Sequence, residues 1–336
     1  MKKKTIKINF NFFGPNFEPE NNFFTNILRK NYNVIISDKP DYLFYSIYSR
    51  RPPPQKIEVI GRIIKKVSPP IYENSRKLFS IVYSLFFRKR KVETKGDIIK
   101  IFFGSEHVKP NMKDCDWAFG SYFEEEIKNK RYMRIPLCVV MDYNINRFGI
   151  FLRKKKFDFK KIRKEKKNFC IFLYSQDVKS RNNFYRKLSK YKKIDSPGRC
   201  MNNMPSISKK NAKESRLSKD WIHEKLNFIN KYKFTIAYEN FFSPGWVTEK
   251  LTHPLLVRSI PIYVGHKDVK KEFNTKSFIN YHDFNNMDDF INYIIKVDND
   301  KELYKKILEE PIFKNNKLPK NFDLKRIERR FKEIFE

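Results

Sequence analysis

The sequence lacks several features that would assign it to common classes. No apolar run approaches the roughly 18 residues that a bilayer-spanning helix needs. The four cysteines, Cys115, Cys138, Cys170 and Cys200, are widely spaced and form no CxxC pair. No His/Cys cluster has zinc spacing and no GxxxxGK loop is present, which argues against a zinc module and a P-loop nucleotidase. Each cysteine lies in or beside an apolar stretch and is expected as a buried free thiol. Acidic residues are also scarce: 38 Asp+Glu stand against 72 Lys+Arg, a formal charge of +34. Such an excess favours anionic partners without choosing among them. AT-rich coding would also enrich Lys, Asn, Ile and Phe, so part of the charge need carry no function. No RRM, KH, zinc or helix-turn-helix signature accompanies it, so no specific nucleic-acid partner is expected. The start, "MKKKTIKINFNFFGPNF", is basic, but Asn9, Asn11 and Gly14 interrupt any apolar core. It therefore reads as a strand rather than a signal peptide, and a cytoplasmic protein is expected.

What is present is an alternation of strand and helix patterns. "TIKINFNFF", "NVIIS" and "DYLFYS" read as strands, and helical spacing of Phe23, Phe24, Ile27 and Leu28 lies between the first two. This β-α-β opening predicts a parallel sheet. "IIKIFFG", "CDWAFGSYF" and "RYMRIPL" continue the pattern after an insertion around 51–97. That insertion carries "LFSIVYSLFFRKRK" at 78–91, read either as a core helix with a basic end or as a segment resting on an anionic membrane. The charged stretch 153–167 separates this half from a second one. There, "NFCIFLYS", "KFTIAYE" and "SIPIYVG" read as strands, with helices between and after them. The expected fold class is α/β, with two Rossmann-like domains facing across a cleft. The expected domains are 1–155, 156–312, and a basic amphipathic C-terminal helix at 313–336 with Leu324, Ile327, Phe331 and Ile334 on one face.

Several residues are placed for chemistry. Thr248 follows Pro244-Gly245 and can cap a helix that holds Glu249 and Lys250 in its first turn. A lysine there suits an anion drawn to the helix N-terminus, and Glu249 could accept from sugar hydroxyls. Arg181 opens a helix after a strand, where its guanidinium could grip a phosphate. Glu106 ends a buried strand and could act as a general base. Taken singly, the Glu249-Lys250 pair, Arg181 and Glu106 read first as ordinary surface or loop residues. Two DxD-like pairs, Asp114/Asp116 and Asp298/Asp300, lie in contexts that do not suit metal binding.

Together these segments resemble the α-1,3-fucosyltransferases of glycosyltransferase family 10, in their bacterial form. "YKFTIAYENFFSPGWVTEKL" followed by "SIPIYVG" is similar to the donor-binding signature of that family. "SDKPDYLFYS", "KIFFGSEHVKPNMKDCDWAFG", "RYMRIPL" and "SRNNFYRKLSKYKKIDSPGRCMNN" resemble its other blocks, in the same order. The resemblance implies a GT-B fold and transfer of L-fucose from GDP-fucose, with inversion, to a hydroxyl of an oligosaccharide acceptor in α-1,3 linkage. It implies that no metal or cofactor is required. It would make Glu106 the base, set Arg181 and Lys250 on the diphosphate and Glu249 on the ribose, and leave Asn240 and Trp246 to line the phosphate and sugar side. Three departures, Ser105 and His107 around the base, Trp246 for a tyrosine, and the long 51–97 insertion, leave open another GDP-linked sugar such as a heptose or a different deoxy sugar. A non-catalytic glycan- or polyanion-binding relative is the further alternative. The expected setting is synthesis of a lipopolysaccharide or capsule precursor, with peripheral contact to an anionic inner-membrane surface.

Overall fold

The structure is a computed structural model that describes residues 3–14, 17–47, 97–106, 108–143, 152, 158–207 and 219–336. The 78–91 segment and His107 lie outside the described residues. The chain divides into two compact units: 1–120 with 124–133 and 330–336, and 121–123 with 134–329.

The first unit is built on strands β1 (Thr5–Asn11), β2 (Asn33–Ile36), β3 (Tyr42–Tyr45), β4 (Ile99–Gly104), β5 (Trp117–Gly120) and β6 (Tyr132–Arg134), in the order β2-β1-β3-β4-β5-β6. Every neighbouring pair from β2 to β5 runs parallel. The alternation in β1 places Ile6, Ile8 and Phe10 inside. Helix α1 (Phe23–Leu28) starts where the Asn22 side chain accepts from the N–H groups of Phe24 and Thr25, and it buries Phe23, Phe24, Ile27 and Leu28. The short helix α2 (Glu124–Ile127) follows later in this unit, while the next one, α3 (Leu137–Asp142), belongs to the second unit.

The second unit carries strands β7 (Asn168–Ile171), β8 (Ile194–Asp195), β9 (Tyr232–Tyr238), β10 (Ile260–Val264) and β11 (Ile279–Asn280), ordered β11-β10-β9-β7-β8 and all parallel. Its helices are α4 (Phe159–Glu165), α5 (Lys179–Ser189), α6 (Lys219–Ile229), α7 (Glu249–Leu256), α8 (Met287–Asn299) and α9 (Lys301–Glu309). β10 is buried at every position, as its unbroken apolar sequence requires of a strand covered on both faces. α4 lies inside the charged stretch read as a separator, and Asp158 caps it by accepting from the Lys161 N–H. All four cysteines are buried and free.

Counted within each unit, both sheets open with the same strand order, 2-1-3-4-5. In such sheets the topological switch lies between the first and third strands, and ligands bind beyond the carboxyl ends there. In the second unit this point falls between β7 and β9.

The last helix, α10 (Leu324–Phe335), packs its apolar face against protein. Phe331 meets Phe119 and Phe24 at centroid distances of 5.5 and 6.3 Å, and Phe335 meets Tyr42 at 4.3 Å. Ile327, Phe331, Ile334 and Phe335 are all buried, so the fold itself accounts for the amphipathic pattern. The DxD-like pairs likewise serve the fold. Asp298 is buried against Lys192, Lys233 and Tyr191, Asp300 caps α9, and Asp116 accepts from the Lys100 N–H.

Phe331→Ala should destabilise the protein by about 3–5 kcal/mol through the cavity it leaves. The exposed Lys332→Ala should stay within about 0.5 kcal/mol of the parent. Urea denaturation of the two variants checks the contrast.

Candidate functional site

At the carboxyl end of β7, Tyr174 joins the two strands of the switch point. Its hydroxyl lies 2.9 Å from the Ile236 carbonyl and 3.1 Å from that of Tyr238, and it accepts from the Tyr238 N–H at 2.6 Å. Gly198 lies directly on the Tyr174 backbone: a Cβ there would come within 2.1 Å of its carbonyl oxygen. The ring of Tyr174 carries the Arg181 guanidinium 3.8 Å above its centroid, a cation–π contact. Arg181, in the first turn of α5, is fully buried. It donates to Asn240 Oδ1 at 2.9 Å and to the Gln176 carbonyl at 2.5 Å. The pair Arg181–Asn240 thus spans the switch point, one residue from each side, although 59 positions separate them in sequence.

Beyond Asn240 the chain exposes Phe241 and Phe242, then turns at Ser243–Trp246, where the Trp246 N–H donates to the Ser243 carbonyl at 3.0 Å. Gly245 takes φ +75°, and a Cβ at this position would meet the Ser121 carbonyl oxygen at 2.1 Å and the Arg134 guanidinium at 2.4 Å. Only glycine serves there. Trp246 is buried, set edge-on to Phe241 at 5.5 Å, and its Nε1 has no hydrogen-bond partner among the described residues.

Thr248 then caps α7, accepting from the Lys250 N–H at 3.3 Å as its position predicts. It also has a second task that local reading missed. Its N–H and its hydroxyl both donate to the Glu239 carboxylate at the end of β9, at 2.9 and 2.9–3.0 Å. Lys250 Nζ lies 3.4 Å from Glu249 and 3.9 Å from Glu239, so one ammonium serves two carboxylates. Burial pushes Glu249 up, but Lys250, Lys225 on α6 and His253 outweigh it and hold the carboxyl at about 2. Burial alone would lower Lys250; Glu249 and Glu239 reverse this and raise it. Burial dominates at Glu239, where it pushes the carboxyl up to about 7. The lysine that a helix N-terminus should disfavour is thus balanced by two acids.

One turn further along α7, Thr252 and His253 bond the buried Asp142 of α3 at 2.7 and 2.8 Å. Pro254 lies within the same helix. Its ring nitrogen has no hydrogen to give to the Lys250 carbonyl four residues earlier.

Glu106 belongs to the other unit. It is half-buried at the bend after β4, where the Val108 N–H donates to its carbonyl at 2.8 Å. The preceding Ser105 shares a 2.7 Å hydrogen bond with Ser46, which donates to the Phe103 carbonyl at 2.7 Å. The strand end that presents Glu106 is therefore pinned to β3.

Within the second unit, six of the seven residues selected from sequence, Arg181, Asn240, Trp246, Thr248, Glu249 and Lys250, gather at the ends of β7 and β9 and the start of α7. Tyr174, Lys225 and Glu239 join them. A buried arginine, a partly exposed lysine, a helix N-terminus and hydrogen-bonding side chains at a switch point suit a phosphorylated ligand.

Residues 162–309 match the family model described as "Glycosyltransferase family 10 (fucosyltransferase) C-term". Residues 8–53 and 55–141 match that of the "Alpha-(1,3)-fucosyltransferase FucT N-terminal domain". The chain belongs to glycosyltransferase family 10. It is similar to the Alpha-(1,3)-fucosyltransferase FucT of Helicobacter pylori, 27% identical over 307 residues, which is 78% of this chain and 61% of that protein. It is also similar to the Putative fucosyltransferase R654 of Acanthamoeba polyphaga mimivirus, 37% identical over 153 residues, covering 45% of this chain and 25% of that one. The match thus spans between a quarter and about three fifths of these relatives' length. A crystal structure of an alpha1,3-fucosyltransferase with GDP-fucose shares the fold, with a TM-score of 0.67, 22% identity, and coverage of 100% of this chain and 92% of that chain. The family 10 fold is of GT-B type, and both Rossmann-like units are present here. No helix among the described residues is long and apolar enough to cross a membrane.

Thr248→Val should remove the cap and leave Glu239 with a single donor from that residue, destabilising the protein by about 2 kcal/mol. Thr248→Ser should restore most of the loss. Thermal denaturation of the pair separates the hydroxyl from the methyl group.

Proposed function

We propose that this family 10 chain transfers L-fucose from GDP-fucose to a hydroxyl of a glycan acceptor, in α-1,3 linkage and with inversion at the anomeric carbon. The observation that carries this reading is the Arg181–Asn240 pair across the switch point beside the Lys250 cluster. In it, Arg181 and Lys250 take the diphosphate and Asn240 orients the guanidinium. Glu249, ionised at neutral pH, accepts from the ribose hydroxyls. The departing diphosphate gains negative charge as the glycosidic bond breaks. The buried Arg181, the partly exposed Lys250 and the α7 N-terminus are placed to stabilise it, so the reading requires no metal. Glu106 is the proposed general base: it removes the acceptor hydroxyl proton as that oxygen attacks the anomeric carbon from the face opposite the leaving group.

Trp246 supports a second reading of the sugar. A buried indole whose Nε1 has no partner among the described residues stands where a tyrosine is usual in the family, so another GDP-linked deoxy sugar or heptose fits the same nucleotide site. The acceptor is proposed to be a lipopolysaccharide or capsule precursor at the cytoplasmic face of a bacterial inner membrane. Membrane contact would then be electrostatic, because the apolar residues of α10 are buried.

Calorimetric titration with GDP, UDP and GDP-fucose tests the donor, and the expected result is binding of both guanosine compounds and rejection of UDP. Lys250→Ala should weaken GDP by more than about tenfold, the loss of one charge-assisted contact. Glu106→Gln should keep donor affinity and lose about 100-fold or more in transfer rate. Unchanged turnover in that variant would move the base elsewhere.

A further inference from the structure

We propose that binding of the sugar-linked diphosphate is coupled to the uptake of one proton by Glu239, which acts as a positioning residue behind Lys250. The inference rests on the donor reading above and extends it to a residue with no assigned role.

The geometry is that of two carboxylates sharing one ammonium. Glu239 is 1% exposed and receives the Thr248 N–H and hydroxyl. Its ion-pair partner is Lys250, 3.9 Å away, and that ammonium lies closer to Glu249, at 3.4 Å. The groups facing Glu239 from neighbouring elements are the Tyr174 hydroxyl after β7, the Tyr263 hydroxyl on β10 and the Cys138 thiol on α3, all neutral near pH 7. Lys225 on α6 and His253 on α7 act on Glu249 instead. With both carboxylates ionised, Glu239, Glu249 and Lys250 together carry one net negative charge. An incoming diphosphate ester brings two more and draws Lys250 towards itself. A fully buried carboxylate that loses its share of a cation is strongly destabilised. A proton from solvent removes that charge, and the Glu239 O–H then donates to Thr248 Oγ, whose hydroxyl can turn to accept. The proton returns to solvent when the ligand leaves.

Glu239 rather than Glu249 takes the proton because, among the described residues, three basic groups act on Glu249 and one acts on Glu239. In the empty site Glu239 is already pushed up to about 7, first by burial and then by Glu249, against Lys250 and Thr248. Near pH 8 it is therefore mostly ionised before binding, and uptake is measurable.

The test is calorimetric titration with GDP-fucose near pH 8 in HEPES and in Tris, whose ionisation enthalpies differ. For the parent protein the two observed heats should differ by nearly one proton's worth. Its affinity should fall up to about tenfold per pH unit as pH rises above about 7. Glu239→Gln mimics the protonated acid, so it should show equal heats in both buffers and a flat affinity profile, and bind more tightly than the parent near pH 8. A merely structural role would weaken the variant at every pH alike. Equal heats for the parent, or uptake that persists in Glu239→Gln, overturns the proposal and leaves the donor reading standing. No heat with GDP-fucose at any pH overturns both. If the variant does not fold, infrared difference spectra of the parent decide: a protonated-carboxyl band should grow on GDP-fucose binding, and its absence refutes the coupling.

Discussion

The donor side of this molecule hangs on the hydrogen bonds that Thr248 gives to Glu239. They tie the first turn of α7 to the end of β9, across a turn whose glycine is fixed by its neighbours. Everything useful on α7 takes its position from that tie. Lys250 can project towards the strand ends because the turn beneath it is held, and the acid that holds it also helps keep the lysine charged. A buried charge is tolerable only when paired and hydrogen-bonded, and these residues meet that condition for one another.

The overall charge of +34 and the charge of the site are different matters. Most of the described lysines are exposed, where water and salt reduce each to a small contribution. Arg181 and Lys250 instead lie against low-dielectric walls, Arg181 on an aromatic ring and Lys250 between carboxylates. A general basic surface attracts polyanions of many kinds. Two cations held at one strand junction can select a single diphosphate.

The fold was largely legible in the sequence because its elements are strongly patterned. β1 and β10 could be read from alternation and from unbroken burial, and α7 from its cap. β8 escaped because two residues within "KKIDSPG" carry no period. α4 escaped because a charge run hides a helix that Asp158 starts. Within the site, Thr248, Glu249 and Lys250 announce themselves locally. The partners that give them their properties do not. Glu239 lies nine residues before Thr248, Lys225 comes from another helix, and Asp142 reaches His253 across 111 positions. Sequence pattern shows what a residue is adjacent to in the chain, while its ionisation is set by what packs against it. The amphipathic period of α10 was legible too, but period alone does not say which apolar surface receives it, and here that surface belongs to the protein's own core.

Pro254 places a limit on how far this arrangement can be carried elsewhere. In an ordinary helix the backbone ladder alone would fix the Lys250 peptide, and the motif could be grafted onto any strand-to-helix junction. Here the proline withholds that rung, and Thr248, Glu239 and the Asp142 contacts do the fixing from outside the helix. The segment "VTEKL" is therefore not a portable module. A transplant that took it without the end of β9 and the α3 carboxylate would carry the letters and lose the geometry.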